Sequence, residues 1–276
     1  MIRAYDLRTE HLKYPLGIDA SAPRLSWKIE TDRSGVFQTA CQIQASADKE
    51  FQELIWDSGK VQNTDSICNI YKGTALKSGE RVYWRVKIWS QEEESEFSNP
   101  VWFEMGLLRA EDWEGVWIEP EKEVDYDAYK PARYLRKTFT VKPGLKKARA
   151  YMTAHGVYYF YLNGKLGTED LFSPGFTSYY NRLQTQTYDI TNFLQEGTNA
   201  WGIILGDGWW RGACGGGSIK NNFGYKVGFL GQLILTYADG SQDIIASDES
   251  FLTSDGPLLK TDSKGGEIYD ARREMP

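Results

Sequence analysis

The chain is short of the residues that most metal and redox chemistry draws on. Of its 276 residues only two are histidine, His11 and His155, and three are cysteine, Cys41, Cys68 and Cys214. So few and so scattered donors cannot build a Cys/His zinc set, and neither a metal nor another cofactor is expected. An odd number of distant cysteines suits reduced thiols, and hence a cytoplasmic setting, rather than a disulfide framework. No window holds the roughly 18 apolar residues that cross a bilayer, so no membrane partner is expected. The start, Met1-Ile2-Arg3-Ala4-Tyr5-Asp6, lacks the apolar stretch of a secretory signal. Positive charge is also in deficit: 32 Lys and Arg against 38 Asp and Glu leave a net charge of −6. Without a long basic run, that balance excludes a nucleic-acid binder. Gly-x-Ser-x-Gly is absent, as is a glycine-rich loop followed by Lys-Ser or Lys-Thr.

Aromatic residues are plentiful instead. The chain has 10 Trp, 17 Tyr and 12 Phe alongside 27 Gly and only 4 Met, a balance that favours strands and turns over helices. The first hundred residues read as short strands between turns. Leu25, Trp27 and Ile29 oppose Arg24, Ser26 and Lys28, and Cys41, Ile43 and Ala45 oppose Gln42, Gln44 and Ser46. Val82, Trp84, Val86 and Ile88 form one face of Arg81–Trp89, and Val101-Trp102-Phe103 gives a last strand. This spacing without helices predicts a β-sandwich of the immunoglobulin or fibronectin type over residues 1–111. Tyr83 points outward there, so no tyrosine corner is expected.

An acidic stretch with Pro120 and Glu121-Lys122-Glu123 marks the junction, near residue 112, with Trp113 and Trp117 expected between the domains. Residues 112–276 are predicted to form a second sandwich of about eight strands, a jelly roll of the galactose-binding-like kind. Ala148, Ala150, Met152 and Ala154 alternate with Arg149, Tyr151, Thr153 and His155, and Asn163-Gly164 is the dipeptide that two-residue hairpins favour. Thr191-Asn192-Phe193-Leu194 reads as one helical turn capped by Thr191 or Asp189. Asp239-Gly240 joins two further strands. The fold class is therefore all-β, with two β-sandwich domains. The run Gly215-Gly216-Gly217 is the one low-complexity patch, and an ending on Met275-Pro276 suggests a chain cut from a longer one.

The densest functional-looking segment is Gly206-Asp207-Gly208-Trp209-Trp210-Arg211-Gly212. Indole faces stack on sugar C–H faces and a guanidinium fork donates to hydroxyls. The same residues also anchor protein interfaces, and one of the two indoles is expected in a core. A second aromatic loop, Pro174-Gly175-Phe176-Thr177-Ser178-Tyr179-Tyr180, is read as a loop held down by its rings or as a ligand platform. Asp207, Trp209, Trp210, Arg211 and Tyr179 are the candidate binding residues. Glycoside hydrolysis needs two carboxylates flanking the bond. Sequence spacing forces no such pair among Glu169, Asp170, Asp207, Asp270 and Glu274, so no catalytic residue is assigned. His155 reads as a hydrogen-bonded structural group.

Five ordered motifs carry a resemblance. Tyr134-Leu135-Arg136-Lys137-Thr138-Phe139, Tyr161-Leu162-Asn163-Gly164, Ser173-Pro174-Gly175-Phe176-Thr177-Ser178-Tyr179, Gln186-Thr187-Tyr188-Asp189-Ile190-Thr191 and Gly206–Gly212 resemble the N-terminal β-domain of bacterial α-L-rhamnosidases, glycoside hydrolase family 78. Pro23-Arg24-Leu25-Ser26-Trp27 and Tyr83-Trp84-Arg85-Val86 resemble the fibronectin-like module ahead of it, and Tyr269-Asp270-Ala271-Arg272 the bridge into the next domain. The resemblance implies hydrolysis of terminal α-L-rhamnosyl residues with inversion by acids on a downstream (α/α)6 barrel. This chain holds no run of paired amphipathic helices, so it resembles a non-catalytic front end whose partners are that barrel and a rhamnose-containing saccharide. Two alternatives stand beside it: a free-standing carbohydrate-binding module and a pair of purely structural spacers. Trp210 stands where the family motif has Tyr, which keeps an aromatic face and drops a hydroxyl. Relatives that bind rhamnose through calcium use an Asp-Asn pair where this chain has His155-Gly156, which implies no metal site here.

Overall fold

The strict alternation of Arg81–Trp89 sends Val82, Trp84, Val86 and Ile88 to one side, and all four are fully buried. Around them the first of two units is built. In a computed structural model, residues 1–120, 125–215 and 219–274 are described. The Glu121-Lys122-Glu123 run, Gly216-Gly217 and Met275-Pro276 lie outside the described residues. The chain divides into Met1–Asp112 and Trp113–Pro276.

The first unit comprises β1 (Ile2–Thr9), β2 (Arg24–Thr31), β3 (Ala40–Ser46), β4 (Leu54–Asp57), β5 (Val61–Gln62), β6 (Asn69–Ile70), β7 (Arg81–Trp89) and β8 (Val101–Glu104). One sheet runs β1-β2-β6 and the other β4-β3-β7-β8, with β5 also on β3. Every pairing within them is antiparallel. Leu25 and Trp27 from the first sheet meet Ile43, Trp84 and Phe103 from the second, a two-sheet sandwich. The buried indoles find acceptors: Trp84 Nε1 donates to Thr9 Oγ1 at 3.0 Å, and Trp27 Nε1 to Gln38 Oε1 at 2.9 Å. β1 was not legible as a strand. Asp6, at φ +47°, interrupts its alternation where the register shifts between Tyr5 and Arg8.

The second unit holds β9 (Arg133–Val141), β10 (Leu145–His155), β11 (Val157–Leu162), β12 (Lys165–Leu166), β13 (Gln186–Asp189), β14 (Gly197–Gly206), β15 (Gly228–Tyr237), β16 (Gln242–Ala246), β17 (Leu252–Asp255), β18 (Leu258–Asp262) and β19 (Gly266–Tyr269). These eleven strands, among the described residues, exceed the expected eight. They form a four-stranded sheet β13-β10-β15-β16, a five-stranded sheet β12-β11-β14-β9-β17 and a separate hairpin β18-β19. The two sheets enclose a core with Met152, Phe160, Trp201, Phe229 and Leu233 at its centre.

The outer side of β10 departs from its sequence pattern. Arg149, Tyr151 and Thr153 are buried as well, because other parts of the unit cover them. Thr153 Oγ1 donates to the Gln184 carbonyl at 2.7 Å and Arg149 pairs with Asp189 at 2.9 Å. The expected helical turn is the 3₁₀ turn Thr191–Phe193, and Asp189 Oδ1 accepts from the Thr191 N–H at 3.1 Å.

Asn163-Gly164 joins β11 to β12 with φ of +52° and +78°, the pair of left-handed conformations a type I′ turn requires. The Asn163 side chain also ties the turn to β14, donating to Asn199 Oδ1 at 2.8 Å and accepting from the Ala200 N–H at 2.9 Å. Because a Cβ at φ +78° is strained while the space there is open, Gly164→Ala is expected to lower stability by about 1–2 kcal/mol. Urea unfolding measures this.

Candidate functional site

β14 ends at Gly206, and the chain turns through Asp207 into a single helical turn, α1 (Gly208–Arg211). Gly208 has φ +52°, and a Cβ on it would lie 2.6 Å from Val157 Cγ1 and 3.0 Å from the Gly156 carbonyl carbon. Glycine therefore lets the turn lie directly against the start of β11. The turn places Asp207 and Arg211 four residues apart on one side. Arg211 Nε donates to Asp207 Oδ1 at 2.6 Å and its Nη2 lies 2.6 Å from the same oxygen. Asp207 is 4% and Arg211 2% exposed.

A network of polar bonds surrounds this pair. The Asp207 N–H donates to Thr261 Oγ1 at 3.1 Å, and Arg211 Nη2 donates to the Pro131 carbonyl at 3.4 Å. Lys130, also buried, donates to the carbonyls of Tyr126 (3.0 Å) and Ala128 (3.3 Å). Asp262 accepts the Ala213 N–H at 2.6 Å, the Lys264 N–H at 2.9 Å and the Gly265 N–H. Burial pushes the Asp207 carboxyl up and the Arg211 guanidinium down from their ordinary values, each opposed by the other's charge. For Asp262 burial also pushes upward, but the three backbone donors outweigh it and hold the carboxyl below its usual range.

The two indoles of α1 go separate ways. Trp210 lies flat on His155, centroids 4.0 Å apart and planes within 8°, and donates through Nε1 to the Lys226 carbonyl at 2.8 Å. Trp117 covers the other face of the imidazole at 4.0 Å and 7°. This corrects one expectation: stacking between two indoles holds His155. Tyr179 meets Trp210 edge-on at 5.5 Å and Phe223 at 4.9 Å, and its hydroxyl donates to the Gly175 carbonyl at 3.0 Å. Burial pushes that phenol up to about 12. Trp209 instead faces Phe172 at 5.7 Å and Phe176 at 5.9 Å, two rings that are exposed to solvent.

Of the five candidate binding residues, then, Asp207, Arg211 and Tyr179 are buried and turned to partners inside the domain. Trp210 is committed to a stack, and Trp209 sits in an exposed aromatic group. A cavity of about 360 Å³ lies beside them and was not anticipated. Tyr159, Phe172 and Ile204 line it on one side, and Thr261, Ser263 and Glu267 of the β18-β19 hairpin on the other, with Gly206 and Gly208 between. None of the five candidates lines it. The outward alternation of Val157, Tyr159 and Tyr161 on β11 was the available signal. Among the described residues no group of three or more His, Cys, Asp or Glu gathers as a metal would require.

Two outcomes follow from this geometry. Arg211→Ala strands a buried carboxylate and is expected to cost about 3–5 kcal/mol in urea unfolding, with Asp207→Leu/Arg211→Met recovering most of it. The stacked His155 has its pKa lowered by burial from the ordinary 6.5. A depressed imidazole gives stability that is complete above the unfolded value and is lost as pH falls through the folded one. Unfolding free energy of this domain should therefore decline below pH 6.5, and His155→Gln should flatten that decline. An NMR titration of the ring reads the pKa directly.

Comparison with known proteins bears on what this arrangement belongs to. The alpha-L-rhamnosidase N-terminal domain model matches residues 144–276, and the Rha78A-like, N-terminal immunoglobulin domain model matches residues 4–109. An alpha-L-rhamnosidase of Formosa agariphila is 34% identical over 280 residues, taking in 97% of this chain and 30% of its own length. One from Alteromonas sp. is 35% identical over 274 residues, 95% of this chain and 30% of its length. The crystal structure of native alfa-L-rhamnosidase from Aspergillus terreus has a TM-score of 0.91 and 31% identity, covering 99% of this chain and 32% of that one. The chain thus spans 30% of the length of the curated relatives it matches. Residues 4–109 and 144–276 therefore belong to the two N-terminal domain families of alpha-L-rhamnosidases.

Proposed function

We propose that this chain is the non-catalytic front portion of an alpha-L-rhamnosidase. Its β-domains support a catalytic part that hydrolyses terminal α-L-rhamnosyl bonds with inversion. The observation that carries this reading is the tandem of two N-terminal domain families in a chain spanning 30% of its curated relatives. The engagement of the enclosed acids agrees with it. A glycosidase acid must hold a proton at a reachable position. Asp207 is buried against Arg211, and Asp262 is fixed as a carboxylate by three backbone N–H groups. Cys41, Cys68 and Cys214 are all unbridged, which supports a cytoplasmic setting as part of the same reading.

A second reading, carbohydrate recognition by the β-domain itself, draws on the exposed Phe172 and Phe176 around Trp209, next to the 360 Å³ cavity. One experiment addresses both. The purified 276-residue chain is expected to release no aglycone from an aryl α-L-rhamnoside, and turnover would contradict the main reading. Tryptophan fluorescence during titration with L-rhamnose reports on the second: a saturable change abolished by Trp209→Ala supports it, and a flat titration removes it.

A further inference from the structure

The cavity of about 360 Å³ beside α1 has two unlike sides. The register of the five-stranded sheet builds the first. It sets Tyr159 of β11 opposite Ile204 of β14, and Val157 opposite Gly206. Val157, Tyr159 and Ile204 all line the cavity, and Phe172 joins them with a ring that is 53% exposed. Gly206 keeps the space open. A Cβ there would stand 3.2 Å from Thr261 Oγ1 and 3.5 Å from Val157 Cγ2, two residues that line the cavity from opposite sides. The second side, on the β18-β19 hairpin, is polar, but most of its polar atoms are already bonded. Both Asp262 oxygens accept backbone N–H groups, and Thr261 Oγ1 accepts from the Asp207 N–H. The Tyr158 hydroxyl, another lining group, donates to Gln186 Oε1 at 3.2 Å. What remains to meet a guest is the O–H of Thr261, the Ser263 hydroxyl and the exposed Glu267 carboxylate.

We infer that this cavity binds a neutral, flat aromatic molecule carrying a hydroxyl on one edge, that is, a phenol. The ring meets Val157, Tyr159, Ile204 and Phe172, and the hydroxyl turns to the hairpin. Aromatic rings gain both burial and ring–ring contact from such a wall. An apolar wall with a few convergent polar groups, at this volume, is the make-up of a small-molecule site. A free sugar fits less well. Hydroxyls run round its whole rim, so those facing Val157 and Ile204 would lose water and find no partner. An anion is disfavoured too, because three backbone donors hold Asp262 as a carboxylate and Glu267 adds a second negative charge. A phenol, with a pKa of about 10, stays neutral at neutral pH. Trp209 does not line the cavity, so this site is distinct from the sugar reading given above, although Phe172 borders both.

The test is a titration of the 276-residue chain with 2-naphthol, a flat phenol, followed through the amide NMR signals of Gly206 and Gly208. Saturable shifts at both are expected, with a Kd of about 0.1–1 mM for a ligand of this size. Phe172 is exposed, so Phe172→Ala should leave the melting temperature within about 2 °C while weakening binding about fivefold or more. Ile204→Glu, which sets a further carboxylate on the apolar wall, should abolish binding. Flat signals, or shifts that survive either substitution undiminished, overturn the inference. L-Rhamnose serves as the second arm. Displacement of 2-naphthol by L-rhamnose would make the cavity a sugar site and also overturns the inference. A rhamnose response at the Trp209 indole without a naphthol response removes the aromatic site alone. Naphthol binding without any rhamnose response removes the sugar reading alone.

Discussion

A carboxylate and a guanidinium taken almost wholly out of water must answer each other, and the second domain is organised around one such pair. Asp207 and Arg211 are held four residues apart by a single turn of helix, and that turn exists because Gly208 fits where a Cβ would strike Val157. The pair fixes the turn, and the turn sends Trp209 and Trp210 in different directions. Trp210 completes a parallel stack of indole, imidazole and indole, and Trp209 joins an exposed aromatic group. Thr261 and Asp262 then bind the same segment to the β18-β19 hairpin. One side of the neighbouring cavity is thereby set by charges that never reach solvent.

This arrangement changes what the glycine- and tryptophan-rich motif is for. Its residue types suit a sugar, but Asp207 and Arg211 are bonded to each other and Trp210 Nε1 donates to the Lys226 carbonyl. The motif acts as a latch joining β14, the segment near Pro131 and the hairpin. The surfaces left open are the rings around Trp209 and the cavity. The cavity is walled by strands and by this tied-down turn.

Much of the fold was legible because alternation is a local signal. The inward sets of β7 and β10, and the turn at Asn163-Gly164, followed from period two and from the need for positive φ. What could not be read depended on distant parts of the chain. Arg149, Tyr151 and Thr153 look like a solvent face until other segments cover them. Tyr179 looks like a platform until Phe223 and Trp210 close over it. The pairing of Asp207 with Arg211 requires a helical turn that three residues between Gly208 and Gly212 do not announce. The β18-β19 hairpin, outside both main sheets, has no core face to impose a pattern, so the cavity it walls was missed with it.

The central claim is that the Gly206–Gly212 segment is a fixed structural latch and not a mobile binding loop. Native-state hydrogen exchange at its amides is the most direct test. The N–H groups of Asp207, Gly212 and Ala213 donate to Thr261 Oγ1, the Gly208 carbonyl and Asp262 Oδ2. They should exchange only through global unfolding of the domain, with protection equal to that of the β14 core amides. Exchange of these amides through local opening, orders of magnitude faster than β14, would contradict the account.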